Sequence, residues 1–159
     1  MYYLNDVAVL CTLGENAEQV RRSLLQRGAP VPDPHALMTR RGERFVAALP
    51  QELDPLPGHL QDYDCRNNRL AAKALQQIRP ALDAAIDQYG AHRVGVVMGT
   101  STTGIAASEV AVRTLAEQCR YPADYHMKQA MLAGLGEFVC RYLALSGPVS
   151  TVSTACSSS

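Results

Sequence analysis

Residues 146–159 read Ser-Gly-Pro-Val-Ser-Thr-Val-Ser-Thr-Ala-Cys-Ser-Ser-Ser, and this stretch restricts the fold more tightly than any other. Gly147 and Pro148 punctuate the end of a long apolar segment, and Val149 to Thr154 are rich in β-branched residues that suit a pleated strand. At Ala155 the pattern breaks into small residues around Cys156, and the serines that follow are good helix N-caps. A strand that turns sharply through small residues into a helix leaves the turn side chain exposed at the sheet edge. Backbone N–H groups and the positive end of the helix then lie close by. A thiol so placed ionises below its free pKa of about 8.5. The pattern therefore predicts Cys156 as a nucleophile. The alternative is a buried structural cysteine that ends a strand, the usual fate of a free thiol.

The run Thr-Val-Ser-Thr-Ala-Cys-Ser-Ser-Ser after Leu-Ser-Gly-Pro resembles the active-site segment of the β-ketoacyl-acyl carrier protein synthases of the thiolase superfamily. The resemblance implies a thiolase-like α/β fold, a three-layer helix/sheet/helix arrangement. Residues 1–159 would form the N-terminal portion of its first half, ending at the nucleophile elbow and incomplete without a C-terminal remainder. It implies decarboxylative Claisen condensation of an acyl thioester with malonyl-acyl carrier protein, in fatty acid or polyketide biosynthesis. Cys156 would carry the acyl chain, and its backbone N–H would form part of an oxyanion hole. The catalytic histidines would lie outside this sequence, so the 159-residue chain alone is expected to be inactive.

The same resemblance implies no metal and no organic cofactor, since phosphopantetheine arrives on the carrier protein. The implied partners are acyl carrier protein, the C-terminal part of the synthase, and a second subunit. That subunit would be a copy of the same chain or a related ketosynthase, joined through the strand before the nucleophile. The opening Met-Tyr-Tyr-Leu-Asn-Asp-Val-Ala-Val-Leu is similar to ketosynthases of aryl polyene clusters. Three alternatives belong to other classes. A chain length factor-like subunit would bind without catalysing, but such subunits commonly replace the nucleophile that Cys156 supplies here. A thiolase-superfamily enzyme would act on coenzyme A esters. A plain α/β module would hold Cys156 inert.

Bulk properties narrow the partners. The chain has 159 residues, 47% of them hydrophobic, and a formal net charge of zero. That is enough for a real core and gives no global case for nucleic-acid or membrane binding. No apolar run approaches the roughly 20 residues of a membrane span. The N-terminus lacks the basic-then-apolar order of a secretory signal, so a cytoplasmic protein is expected. Cys11, Cys65, Cys119, Cys140 and Cys156 form no Cys-x-x-Cys pair, and His35, His59, His92 and His126 form no metal-binding motif. Zinc and a disulfide framework are both disfavoured.

Taken in order, Val7 to Cys11 is a short apolar run expected to be a strand buried on both faces. Asn16 is placed to cap a helix running to about Arg27, with Val20 and Leu24 on its apolar side and Gly28 closing it. Ala29 to Tyr63 carries Pro30, Pro32, Pro34, Pro50, Pro55 and Pro57, which oppose helices and central strands; Phe45 to Leu49 fits a short edge strand. Arg66 to about Tyr89 shows the clearest helical spacing. Asp64 is placed as its cap, Leu70, Ala74, Leu75, Ile78, Leu82 and Ile86 share a face, Pro80 should kink or divide it, and Gly90 ends it. Arg66, Arg69 and Lys73 share a side of its first two turns. They read as a solvated polar face or, as the resemblance implies, a docking patch for an acidic carrier protein.

Val94 to Met98 is expected to be a second buried strand, running into Gly-Thr-Ser-Thr-Thr-Gly at 99–104. Taken alone this loop could cradle a phosphate, but it lacks the P-loop Lys and the full Gly-x-Gly-x-x-Gly spacing. It is similar to the glycine-rich segment of ketosynthases, which implies that Ala107 and Ser108, on the first turns of the next helix, line the acyl pocket. That helix, Gly104 to about Cys119, is expected to pack through Ile105, Val110, Val112 and Leu115. Asp124 is placed to cap a further helix through Leu145, whose Met127 and Met131 the resemblance makes pocket candidates. Alternation of apolar strands with helices argues for a parallel sheet covered by helices on both faces.

Overall fold

The computed structural model describes residues 2–26, 34–39, 42–47, 49, 52–154 and 157–158. The chain divides into two compact units. The first holds Met1–Glu52 with Ala74–Ile78, and the second holds Leu53–Lys73 with Arg79–Ser159.

In the first unit, helix α1 spans Ala17–Leu25. Asn16 caps it as its sequence predicts, accepting the Gln19 N–H at 2.9 Å, while the Gln19 side chain accepts the Glu15 N–H at 2.8 Å. The first bond satisfies a donor that a helix start otherwise leaves unbonded, and the second ties the residue before the cap to the same turn. Leu24 is exposed rather than packed, and the expected Gly28 cap lies outside the described residues. Val7 to Cys11 is not a strand. Its backbone bonds to the side chain of Gln77, whose amide accepts from Val9 N–H at 3.2 Å and donates to Val9 C=O at 3.0 Å. A side-chain amide satisfies one residue's polar groups but offers no ladder, so only an isolated bridge between Cys11 and Gly14 forms. The proline-rich stretch does contain strands. Strands β1 (Pro34–Thr39) and β2 (Gly42–Ala47) pair antiparallel, Thr39 opposite Gly42. Pro34 is the first residue of β1, where a missing N–H costs nothing to the ladder.

The long helix divides as Pro80 foretells. Helix α2 is Arg66–Gln77 and helix α3 is Arg79–Tyr89, with Pro80 in the first turn of α3, where its absent N–H needs no partner. Gly90 N–H bonds Ile86 C=O at 2.8 Å and closes α3.

In the second unit, strands β3 (Val96–Gly99) and β4 (Val149–Val152) run parallel, Val96 opposite Val149. The parallel pairing matches the sequence expectation, but the strand is not buried on both faces: Val96 is 7% exposed and Val97 is 77% exposed. Helix α5 (Gly134–Tyr142) covers the Val96 face, and buries Leu135, Phe138 and Val139. A Cβ on Gly136 would stand 2.6 Å from Thr151 Oγ1 and 2.8 Å from Val149 Cγ2, so the helix rests on β4 through a position without a side chain. Helix α4 (Ile105–Gln118) follows β3. The expected packing through Ile105, Val110 and Val112 is corrected: all three are more than half exposed, and Ala111 is the buried residue.

The single helix expected from Asp124 to Leu145 is replaced by a 3-10 turn at Met127–Gln129 and then α5. His126, not Asp124, caps that turn, its Nδ1 accepting the Lys128 N–H at 3.2 Å. A glycine makes the interruption possible: Gly134 lies against the Lys128 carbonyl, an approach that any Cβ would prevent.

Candidate active site

Two segments leave the C-terminal ends of β3 and β4, the end of a parallel sheet at which ligand sites collect. The first is the Gly99–Gly104 loop. Thr100 N–H donates to Val152 C=O at 3.1 Å and carries the ladder one step past the strand. Thr100 Oγ1 then accepts the Thr103 N–H at 3.4 Å, and Thr103 adopts a φ of 43°. Thr103 Oγ1 donates to Ala130 C=O at 3.1 Å, and Gly104 N–H donates to Gln129 C=O at 3.0 Å. A Cβ on Gly104 would collide with the Gln129 carbonyl and approach Cys65 Sγ at 3.2 Å. Glycine is required there by this contact.

The second segment follows β4. Thr154 and the serines after it are tied together. Ser157 Oγ donates to Thr154 C=O at 3.0 Å, Ser157 N–H reaches the same carbonyl at 3.3 Å, and Thr154 N–H donates to Ser158 Oγ at 2.8 Å. Ala155 and Cys156, which these bonds bracket in sequence, lie outside the described residues. The segment that leaves β4 thus starts beside the glycine-bearing loop, where Thr100 bonds Val152.

The pocket candidates separate. Ala107 lines a cleft of about 230 Å³ with Val110, Pro122, Tyr125 and Gln129, and with the carboxylates Asp64 and Asp124. Ser108 turns back on its own helix, where Oγ donates to Gly104 C=O at 3.1 Å. Met127 and Met131 are about half exposed, and neither borders that cleft.

The docking candidates occupy α2, with Arg66 exposed and Lys73 half-buried. Arg69 grips Asp64 through two hydrogen bonds, at 2.5 and 2.8 Å, and reaches the Leu53 carbonyl at 3.4 Å. The bonds to Asp64 hold the guanidinium pKa above its usual value. Asp64, expected as a helix cap, instead pairs with this arginine, while the Cys65 carbonyl accepts the first helical N–H, from Arg69. Burial pushes the Cys65 thiol above the ordinary range, so it is protonated where an elbow thiol would be reactive.

One cluster gives no local sequence signal. Buried Tyr63 donates to Glu137 at 3.0 Å and accepts from Arg141 Nε at 3.0 Å, while Lys128 Nζ stands 5.0 Å over its ring and bonds Asp62 at 2.8 Å. The hydrogen bond from Lys128 lowers the Asp62 pKa. Its members come from three separate stretches of chain, so no motif could announce it. The cluster holds the 127–130 turn, whose Gln129 and Ala130 carbonyls anchor the loop.

Among the described residues no group of three or more His, Cys, Asp or Glu side chains is placed to hold a metal ion. Nor is any helix among them long and apolar enough to cross a membrane.

The family description "Beta-ketoacyl synthase, N-terminal domain" matches residues 67–159. The chain is also similar to a chain from the solved complex of the ketosynthase ApeO with its chain length factor ApeC, from Xenorhabdus doucetiae. The likeness has a TM-score of 0.86 and 35% identity over 98% of this chain, which spans 40% of the length of that one. No curated protein sequence matches the chain.

Proposed function

The chain belongs to the beta-ketoacyl synthase family, and on that premise we propose that it is the nucleophile-bearing portion of a β-ketoacyl-acyl carrier protein synthase, residues 1–159 of its thiolase-like domain. The observation that most supports this is the convergence at one end of β3 and β4, where the Gly99–Gly104 loop lies beside the segment leading to Cys156. In this reading the Cys156 thiolate attacks the carbonyl carbon of an acyl thioester on carrier protein, and the phosphopantetheine thiol leaves with a proton. The acyl group is then held on sulfur, with the Cys156 N–H among the donors to the tetrahedral oxyanion. Histidines beyond this sequence promote loss of carbon dioxide from malonyl-acyl carrier protein, and the resulting carbanion displaces Cys156. No metal or resident cofactor takes part, and the reaction is cytoplasmic. The chain by itself is inactive.

The basic side of α2 steers an acidic carrier protein toward this end of the sheet. Arg66, Arg69 and Lys73 share that role, with Arg69 also paired to Asp64. The solved complex pairs a ketosynthase with a chain length factor, and that pairing supports a related subunit as the partner here. Ala107, beside its cleft, is the chain-length wall; Ser108, Met127 and Met131 are secondary to it. Products belong to fatty acid or polyketide synthesis, aryl polyenes among them.

Intact-mass analysis of the complete synthase with acyl-acyl carrier protein tests the central step. One acyl group should be added, mapped to the peptide containing Cys156, and Cys156→Ala should abolish it. Acylation of Cys119 or Cys140 instead, or of none, would return the chain to the chain length factor-like reading.

A further inference from the structure

Three non-glycine residues among those described have a positive φ. Cys119 caps α4 and Ala144 follows α5, and the left-handed conformation is routine just past a helix C-terminus. Thr103 differs: it is β-branched and precedes a helix, with φ 43°, where such a residue is a steric outlier. Strain of this kind persists only where surrounding contacts impose it. Here they are identifiable. Thr103 Oγ1 donates to Ala130 C=O at 3.1 Å, and the next residue, Gly104, donates its N–H to Gln129 C=O at 3.0 Å. Two consecutive residues of the loop are therefore bolted to two consecutive carbonyls of the 127–130 turn. That turn is itself held by the Lys128–Asp62 pair and by the Tyr63 ring beneath Lys128.

We infer that Thr103 is a positioning residue whose hydroxyl latches the Gly99–Gly104 loop to the 127–130 turn and so sets where the start of α4, with Ala107, meets the distal end of a long acyl chain. The inference rests on the condensing function proposed above. A glycine would adopt φ 43° without strain, but it has no hydroxyl to reach Ala130. The cost of threonine here is offset by a side-chain bond that only a hydroxyl can make. The consequence is selective by length. A short acyl group ends near Cys156 and does not depend on the wall, whereas a long one does.

The test uses the complete synthase with its partner subunit, and measures transfer from butanoyl- and dodecanoyl-acyl carrier protein. Thr103→Val keeps the β-branch and loses the hydroxyl; it should raise KM for the dodecanoyl donor about tenfold, the scale of one hydrogen bond, with little change for butanoyl. Thr103→Ser should restore the wild-type ratio. Thr103→Gly relieves the left-handed strain and also removes the hydroxyl, and it should lose chain-length discrimination as Thr103→Val does. If strain at this position rather than the hydroxyl mattered, Thr103→Gly would discriminate at least as well as the unsubstituted synthase. A wild-type donor ratio in both Thr103→Val and Thr103→Gly overturns the latch while leaving the condensing function intact. Failure of the unsubstituted synthase to acquire an acyl group on Cys156 from either donor overturns both.

Discussion

Helices α4 and α5 belong to the same unit and are both rich in apolar residues, but only α5 is a core helix. Leu135, Phe138 and Val139 stand three and four residues apart, so they share one stripe, and Gly136 lets that stripe settle on β4. In α4, Ile105, Val112 and Leu115 fall on one side while Val110 points to nearly the opposite one, and only Ala111 is buried. Apolar content therefore does not decide burial. A stripe with a small residue at the point of closest approach does, and α4's scattered pattern suits a helix that presents more than one surface.

The contrast is broken most directly at Phe138, which has no exposed surface. Phe138→Ala should cost about 3–5 kcal/mol, whereas Val112→Ala on α4 should stay within about 0.5 kcal/mol, both read from urea midpoints. Comparable costs would erase the distinction between the helices. A greater cost for Val112→Ala in the complete synthase than in this chain would sharpen it, by showing that α4 is covered there.

Gly136→Val comes next. Its side chain would overlap Thr151 and Val149, and overpacking of this kind costs about 1–3 kcal/mol. Because the strain falls on β4, the same variant should slow acylation at Cys156. A stable, fully active variant would mean that α5 does not fix the strand.

The smallest effect is expected at the α4 end, from pH. Cys65 Sγ packs beside Gly104, and burial raises its pKa. A thiol whose folded pKa is raised contributes stability that is fully present below the unfolded value, about 8.5, and is lost as pH rises through the folded one. Urea midpoints should therefore fall on the alkaline side of about pH 8.5, and Cys65→Ala should flatten the decline. An unchanged slope in that variant would place the alkaline loss elsewhere.

Much of this was legible in the sequence because it is local. Asn16 caps its helix through a residue three positions on, Pro80 divides α2 from α3 because its own ring forbids continuation, and Gly90 ends α3. The β-branched run at 149–152 and the apolar run ending at Gly99 form the parallel pair, and the Thr-Ala-Cys-Ser pattern marked the family before any geometry was known. Val7 to Cys11 misled, since an apolar run is also what a segment held by a distant glutamine looks like. Phe45 and its neighbours did form a strand, but the partner strand lay in a stretch whose prolines argued against one.

What only the tertiary structure decided depends on residues far apart in the chain. Arg69 reads as a free docking charge until Asp64 and the Leu53 carbonyl are brought to it. Thr103 reads as one more small loop residue until Ala130, 27 positions away, supplies the carbonyl that its hydroxyl needs. Tyr63 joins Glu137 and Arg141 across 74 and 78 positions. Helix and strand periods, caps and breakers act over a few residues and leave their mark in local order. A hydrogen bond between distant segments leaves none, because it depends on where the intervening elements pack. The sequence by itself determined the α1 cap, the break between α2 and α3, the parallel pair and the family; which charges are offset, and what holds the loop beside β4, was decided by packing alone.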